Sequence, residues 1–283
     1  MSGFPPPLIG RHPARVLSNL DAPLGGLRRM ILHAPELART AQPGHFVQLS
    51  CGTDLTLRRP LSIAGADPVA GEVELLYAVV GEGTRRMVQW RPGDPADLLG
   101  PIGRPFTLPP PGETALLLGG GVGTAPMVYL ARALAAAGIG GTLFVGFRRP
   151  EGGHRSAALP LGSPLEQALS NGSDQADGLV TDHAARRLES LPPEPRGAIR
   201  LYACGPPLML RAVAALAQRF ALSGEVSLEE RMACGFGGCA GCVAPMKDPA
   251  APQGWTHRRV CVDGPVFPLD AVDWERYLAA HGG

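Results

Sequence analysis

Lysine is almost absent from this sequence. Of the 26 basic residues among its 283, all but Lys247 are arginine, so chemistry that needs a Schiff-base lysine has a single candidate. We expect Lys247 to be a solvated surface residue instead. Net charge is also small, because 25 Asp and Glu offset the basic residues and leave +1. Without a basic field, nucleic acid and acidic lipid are excluded as partners.

Long apolar runs are missing as well. No run approaches the roughly 18 residues that a membrane-spanning helix needs. Residues 1–7, MSGFPPP, show neither the charged nor the apolar region of a secretory signal. We therefore expect a soluble, cytoplasmic protein with no membrane partner. At 283 residues and 45% hydrophobic, the chain is long enough for two domains, each with its own core.

Four of the six cysteines follow the spacing C-x4-C-x2-C…C, by which plant-type ferredoxins hold a [2Fe–2S] cluster. They are Cys234, Cys239, Cys242 and Cys261. Four of the six residues between the first three are glycine, which lets the backbone approach an inorganic core. A zinc knuckle is the alternative, although zinc sites usually use paired C-x2-C hooks. A disulfide framework is weaker still in a chain of this size.

Short apolar runs broken by Gly, Pro and Asp fill the first third of the chain, a pattern that predicts a small antiparallel barrel over residues 1–110. The runs are 45–49, 60–63, 73–80 and 97–99. Residues 109–112, PPPG, form a stiff joint of the kind that separates domains.

Strand and helix patterns alternate after this joint, which predicts a doubly wound parallel sheet over residues 111–224. The expected strands are 115–118, 141–147 and 199–203, and the expected helices are 125–137 and 208–220. Residues 225–283 carry the cysteine loop and are predicted to form a small cluster domain, with 242–244 and 259–262 paired as a hairpin.

The run Gly119-Gly-Gly-Val-Gly-Thr-Ala-Pro126 lies between an expected strand and the helix after it, where backbone N–H groups can receive a pyrophosphate. It does not satisfy G-x-G-x-x-G, because Thr124 stands at the third glycine position. A tight turn is the alternative. In the barrel, 58–63 and 81–84 offer an arginine, hydroxyls and a glycine turn, but each is weak evidence alone.

Read in order, these segments resemble the ferredoxin reductase superfamily. Arg59-Pro-Leu-Ser62 is similar to its flavin strand, Gly81-Glu-Gly-Thr84 to a flavin-phosphate turn, Gly119–Pro126 to its nicotinamide-nucleotide loop and Cys204-Gly-Pro-Pro207 to its nicotinamide-facing turn. With 229–242 and 259–267 added, the chain resembles the electron-transfer subunits of NAD-dependent dihydroorotate dehydrogenases from about residue 12 to about residue 270. The segment 171–182 is also similar to that family's pattern.

The resemblance implies a division of labour in pyrimidine biosynthesis. This chain would carry FAD and the [2Fe–2S] cluster and use NAD(H), whereas a separate FMN-containing catalytic subunit would oxidise dihydroorotate, with two copies of each subunit. The chain would then contain no orotate site. The family implies NADH, although Arg148 and Arg149 follow a predicted strand where arginine can accept a 2′-phosphate.

The resemblance also assigns site residues. Arg59 would neutralise FAD phosphate and Ser62 would face the flavin edge near N5, whereas Leu61 replaces a common aromatic and Ala78 a common arginine. The full FAD set is Arg59, Pro60, Leu61, Ser62, Leu76, Tyr77, Ala78, Gly83 and Thr84. The NAD(H) set is Gly119, Gly120, Gly121, Val122, Gly123, Thr124, Cys204, Gly205 and Pro206.

Two other functions stay open at this point. The chain could be a flavin and iron–sulfur subunit of a different complex, of the ferredoxin:NADP oxidoreductase, sulfide dehydrogenase or hydrogenase type. It could also be a non-redox module held together by zinc. Colour distinguishes the last of these, since a flavin and an iron–sulfur cluster absorb visible light and zinc does not.

Overall fold

The computed structural model describes residues 9–22, 26–148, 152–163, 175–192 and 197–282. Its first part is a closed antiparallel barrel with the strand order β1-β2-β5-β4-β3-β6, as the sequence predicts. The strands are β1 (Gly10–Asp21), β2 (Leu27–His33), β3 (Phe46–Leu49), β4 (Arg59–Asp67), β5 (Glu72–Ala78) and β6 (Pro95–Ile102).

Apolar side chains from these strands fill the barrel, including Met30, Leu32, Val47, Ile63 and Leu75, all fully buried. Closing the sheet leaves no strand edge exposed for pairing with another chain. Two short helices complete this part, α1 (Pro35–Thr40) and α2 (Glu82–Val88). The sequence interpretation of 81–84 as a turn was wrong, because Gly81 is the N-cap of α2 and the next three residues begin the helix.

A seven-stranded sheet follows, in the order β10-β9-β8-β7-β11-β12-β15. Its strands are β7 (Thr114–Gly120), β8 (Gly141–Arg148), β9 (His154–Pro160), β10 (Gln175–Asp177), β11 (Ile199–Cys204), β12 (Gly224–Ser227) and β15 (Val266–Pro268). The four central strands, β8, β7, β11 and β12, are parallel, as predicted. The outer strands β9, β10 and β15 are antiparallel, which the strand and helix alternation did not indicate.

Helices connect and cover the sheet: α3 (Thr124–Ala136) after a 3₁₀ turn at Gly121–Gly123, α4 (Val180–Glu189) and α5 (Pro207–Phe220). Leucine, alanine and valine dominate the buried faces of α3 and α5, which explains why these two helices were predictable. The family-like segment 171–182 lies partly outside the described residues.

The C-terminal part holds a two-stranded hairpin of β13 (Val243–Lys247) and β14 (Trp255–Arg259), followed by α6 (Trp274–Ala280). A hairpin is predicted here, but its second strand ends at Arg259, and Cys261 lies in the turn that follows. The chain then returns to the large sheet, because β15 pairs with β12. The domain boundaries at 110 and 224 stay a prediction.

Hydrogen bonds and ion pairs join the barrel to the sheet. Glu225 on β12 accepts from the backbone N–H and the hydroxyl of Thr107, in the connecting segment, at 2.9 and 2.8 Å. The Tyr202 hydroxyl donates to the Thr107 carbonyl at 2.8 Å. No helix in the described ranges is both long and apolar enough to cross a bilayer.

Candidate functional site

A cavity of about 450 Å³ lies where the barrel meets the sheet and the segment leading to the cysteine loop. The sequence-predicted residues that line it are Arg59, Pro60, Leu61, Ser62, Leu76, Tyr77, Ala78, Thr84 and Val122. These residues come from β4, β5, α2 and the turn before α3, so folding gathers positions up to 63 residues apart along the chain. The cavity's size and largely apolar lining are typical of small-molecule and cofactor sites.

One end of the cavity carries a positive charge that can bind an anion. The Arg59 guanidinium lies against Gly83, so closely that a Cβ there would come within 2.4 Å of Arg59 Nε. Arg59 donates to the Leu57 carbonyl, and among the described residues no carboxylate pairs with it. Its neighbour Arg58 is instead paired with Asp97 at 2.6 Å, so of these two described arginines Arg59 is the one available to an anion.

The predicted Thr84 hydroxyl is already engaged with its own helix start. It accepts from the backbone N–H groups of Val80 and Gly81, at 3.0 and 3.1 Å, and donates to the Gly81 carbonyl at 3.0 Å. The arrangement fixes the first turn of α2 beside Arg59. Thr84 therefore fixes the shape of this turn and also forms part of the cavity wall.

Sequence reasoning missed the opposite wall, which is built from Ser227, Leu228, Glu229, Glu230 and Met232. This segment follows β12, and ligand sites in open α/β sheets lie beyond the carboxyl ends of the parallel strands. That rule was the available signal, because β12 could be expected to run beside β11. The segment runs directly into Cys234, so the cavity and the cysteine loop are joined by continuous backbone.

Glu229 is an unusual group in this wall. Its exposed surface belongs to the lining of the cavity, and the surrounding protein raises the pKa of its carboxyl to about 7 through burial. The charge of Glu229 in turn helps to raise the pKa of the fully buried Cys204 thiol, after the larger effect of burial. The Tyr277 hydroxyl donates to the Glu229 carbonyl at 3.2 Å and holds this stretch of backbone.

The second predicted site is built from two turns at the carboxyl ends of β7 and β11. These strands are parallel neighbours, with Gly119 opposite Cys204. A Cβ at Gly123 would lie 2.3 Å from the Cys204 carbonyl oxygen, and one at Gly120 would lie 2.5 Å from Met209 Sδ. Close packing of the two turns therefore accounts for both glycines, whereas Gly121 adopts a φ of 55° with open space beside it.

Val122 links this second site to the cavity, since it belongs to both. The remaining predicted residues of the two turns lie outside the cavity lining: Gly119, Gly120, Gly121, Gly123, Thr124, Cys204, Gly205 and Pro206. The Thr124 hydroxyl at the start of α3 is fully buried and has no hydrogen-bond partner within the described ranges. An unpartnered donor at a helix N-terminus suits a phosphate oxygen.

The cysteine loop folds around its own sulfur atoms. The backbone N–H of Cys239 points to Cys234 Sγ at 3.4 Å, and that of Gly241 points to Cys239 Sγ at 3.4 Å. Gly237 adopts a φ of 88°, and a Cβ there would meet Val262 at 2.7 Å. The Arg259 guanidinium donates to the Gly237 carbonyl at 3.3 Å, which brings a positive charge to the loop.

The four thiols fall into two pairs. Burial raises the pKa of Cys234, but hydrogen bonds from the backbone N–H groups of Cys239, Phe236 and Gly238 and from the Cys239 side chain outweigh it and lower the pKa to about 7. Burial and the neighbouring Cys242 raise the pKa of Cys261 to about 12. Cys234 thus interacts with Cys239, and Cys242 with Cys261.

Within the described part of the chain, no three or more His, Cys, Asp or Glu side chains gather as ligands for one ion. A [2Fe–2S] cluster does not need three protein ligands on one ion, because each iron binds two of the four thiolates. Two pairs of thiols on one loop and one adjacent turn match that requirement. Cys51 and Cys204 are buried elsewhere in the protein.

Residues 229–273 match a family model described as the iron-sulfur cluster binding domain of dihydroorotate dehydrogenase B. The electron transfer subunit of dihydroorotate dehydrogenase B (NAD(+)) from Desulforamulus reducens is 36% identical over 254 residues, which cover 87% of this chain and 92% of the relative. The corresponding subunit from Shouchella clausii is 38% identical over 249 residues, covering 86% and 91%.

Solved structures give the same architecture. The structure of an NADH-dependent reduced ferredoxin-NADP oxidoreductase superposes with a TM-score of 0.76 at 27% identity, covering 99% of this chain and 94% of the other. A ferredoxin reductase of carbazole 1,9a-dioxygenase superposes with a TM-score of 0.61 at 22% identity over 77% of this chain and 66% of the other, a similarity of fold.

Proposed function

The chain belongs to the family of electron transfer subunits of dihydroorotate dehydrogenase B, and on that premise we propose that it carries electrons between NAD(H) and a catalytic subunit through FAD and a [2Fe–2S] cluster. It is an oxidoreductase subunit that works with a catalytic partner. The observation that carries the proposal is the continuity of the two sites: residues 227–230 and Met232 line the cavity, and Cys234 begins the cysteine loop two residues later.

FAD is proposed for the cavity. Arg59 would pair with its phosphates beside the first turn of α2, where no carboxylate among the described residues competes for the guanidinium. Leu61 and Leu76 would pack against the ring system, and Ser62 on β4 would supply a hydroxyl at its edge. When bound, FAD accepts a hydride from NADH and releases the two electrons singly to the cluster.

NAD(H) is proposed for the two turns at the carboxyl ends of β7 and β11. Thr124 and the backbone N–H groups at the start of α3 would receive the pyrophosphate, and Cys204, Gly205 and Pro206 would border the nicotinamide. Val122, which belongs to both this turn and the cavity wall, would bring the nicotinamide next to the flavin. Val122 would then help to position the nicotinamide and to keep water out of this contact.

The cluster is proposed for Cys234 and Cys239 on one iron and Cys242 and Cys261 on the other. The pairing follows the contacts between the thiols and places the exposed Cys239 at the surface. Phe236, 56% exposed at the centre of the loop, gives this surface an apolar contact. A loop with few charges lets a partner approach without the cost of burying them.

The partner is proposed to be an FMN-containing subunit that oxidises dihydroorotate, assembled as two copies of each chain in the cytoplasm. The partner would dock over the cysteine loop, because single electrons must leave the cluster over a short distance. The test is co-expression of the two subunits, co-purification and a coupled assay. The pair should link dihydroorotate oxidation to NAD(+) reduction, whereas the chain alone should pass electrons from NADH to dyes only.

A second function keeps the same cofactors and changes the partner. The similarity to an NADH-dependent reduced ferredoxin-NADP oxidoreductase over 99% of this chain favours a subunit of that kind. The coupled assay separates the two, since such a subunit would reduce ferredoxin with its own partner and show no dihydroorotate activity with an FMN subunit. Full dihydroorotate activity from this chain alone, or none from a flavin-loaded pair, would contradict the main proposal.

A further inference from the structure

Gln48 is a fully buried polar side chain whose carboxamide has no partner. It lies on β3, where it is opposite Pro60, a residue of the cavity wall. Neither its Oε1 nor its Nε2 finds a hydrogen-bond partner among the described residues, and its exposure is 0%. An unpartnered amide of this kind is destabilising unless a ligand or water satisfies it. A nonpolar side chain would serve the barrel better if packing were its only role.

The Gln48 side chain reaches out of the barrel to the cysteine loop. A Cβ at Gly235 would lie 2.8 Å from both Cγ and Nε2 of Gln48, so the amide nitrogen is packed against the backbone next to Cys234. Gly235 is buried and adopts a φ of 77°, and both properties require glycine at this contact. The absence of a side chain at Gly235 therefore leaves room for Gln48, which packs closely against the backbone of the loop.

The chemistry of the two sides is complementary. Thiolate and sulfide sulfur can only accept hydrogen bonds, and the part of Gln48 packed against the loop is a nitrogen that donates two. Around Cys234, the other described donors are backbone N–H groups and the Cys239 side chain. Gln48 is therefore a side-chain amide that lies on the barrel side of the loop and can donate hydrogen bonds to its sulfur atoms.

We propose that Gln48 donates a hydrogen bond to the iron–sulfur site, to an inorganic sulfide beside Cys234, and so sets the reduction potential of the cluster. The inference rests on the proposed function, since it needs the cluster. Gln48 is a positioning and tuning residue and takes no part in hydride transfer. Hydrogen bonds to the sulfur atoms are one of the known controls of iron–sulfur potentials, and they stabilise the reduced, more negative state.

The test is the substitution Gln48→Leu, which keeps the volume and removes the donor. We expect iron, sulfide and flavin contents to match the unaltered protein and the cluster potential to fall. Loss of one hydrogen bond to a charged acceptor shifts an equilibrium about tenfold, which for one electron corresponds to about 59 mV. The potential is read by redox titration followed by electron paramagnetic resonance, which observes the reduced cluster directly.

A second readout identifies the hydrogen bond itself. In D₂O, the reduced cluster of the unaltered protein should show a coupling to an exchangeable deuteron that Gln48→Leu lacks. If the Gln48→Leu variant does not retain its cluster, the potential is measured instead in Gln48→Met, which keeps the length of the side chain. The matched control is Val47→Ala, the neighbouring position on β3, whose side chain belongs to the barrel core. Its potential should equal that of the unaltered protein.

Three outcomes would overturn the inference: an unchanged potential in Gln48→Leu with the cluster intact, an unchanged deuteron coupling, or an equal shift in Val47→Ala. One further result would contradict the proposed function itself. If the unaltered protein, purified without oxygen, holds flavin but no iron, the cluster assignment fails, and the Gln48 inference fails with it. A normal cluster with an unresponsive Gln48 leaves the proposed function intact.

Discussion

Arg132 on α3 donates to the Glu74 carboxylate on β5 at 2.6 Å, an ion pair that joins the sheet to the barrel. Arg29 on β2 donates to the other oxygen of the same carboxylate, also at 2.6 Å. The Glu74 side chain is only 10% exposed, so the pair is poorly screened by solvent. The ion pair therefore bears on how firmly the sheet is held against the barrel.

Replacing Arg132 by Met keeps the aliphatic stem of the side chain and removes the charge. We expect the free energy of unfolding to fall by about 1 to 2 kcal/mol, because Glu74 retains Arg29 as a partner. We also expect slower flavin reduction by NADH, measured by stopped flow, as the junction loosens. The control is Arg39→Met on α1, whose pair with Glu36 is exposed on both sides and should cost less than about 1 kcal/mol. Equal losses in the two variants would contradict a role for the junction.

Replacing Cys239 by Ser should remove the cluster and leave the flavin bound. The thiolate is one of four required ligands, whereas the cavity is lined by residues of other segments. We expect about two iron atoms and two sulfides per chain in the unaltered protein and close to none in the variant, measured by iron and sulfide analysis beside the flavin absorbance. Cys51→Ser is the control, because Cys51 is buried in the barrel away from the loop. Zinc in place of iron would contradict the cluster.

NADH should be preferred to NADPH. Arg148, at the exposed end of β8, is where a 2′-phosphate could bind, and Arg149 lies outside the described residues. We regard Arg148 as a solvated surface charge, so Arg148→Ala should change the ratio of kcat/KM for the two nucleotides by less than roughly threefold. The measurement is steady-state flavin reduction with each nucleotide. A larger kcat/KM for NADPH in the unaltered protein would show that the arginines select the phosphate.

Glu229 should make the folded protein less stable as pH rises. The pKa of its carboxyl is raised to about 7 in the folded state, above its usual 4.5, so the folded state holds this proton while the unfolded state releases it. Stability is therefore lost progressively between about pH 4.5 and 7. Because the carboxyl faces an open cavity, the effect should be smaller than the roughly 1.4 kcal/mol per pKa unit of an enclosed group.

Replacing Glu229 by Gln should remove this part of the pH dependence. We expect urea midpoints of the variant and the unaltered protein to agree near pH 4, with the variant the more stable of the two at pH 8. Glu275→Gln, on the exposed side of α6, is the control and should leave both midpoints unchanged. A variant that is relatively less stable at pH 8 would mean that Glu229 is ionised and stabilised in the folded state.

Composition and local patterns determined much of this protein. The short apolar runs predicted the barrel, the strand and helix alternation predicted the parallel centre of the sheet, and the cysteine spacing indicated the iron–sulfur loop. These features are readable because each depends on neighbours in sequence: a period of two along a strand, a period of 3.6 along a helix, and the reach of a single loop around its ligands. Lys247 is exposed, as expected.

Only the tertiary structure decided which distant segments pack against each of these elements. The wall formed by residues 227–230 and Met232, the raised pKa of Glu229 and the unpartnered Gln48 beside Gly235 all depend on segments distant in sequence. The antiparallel outer strands of the sheet are also of this kind, since the same apolar run can pair in either direction. A sequence records which side chains are present, but burial and contact depend on the packing of the whole chain, and it is burial that gives a carboxyl or an amide its particular chemistry.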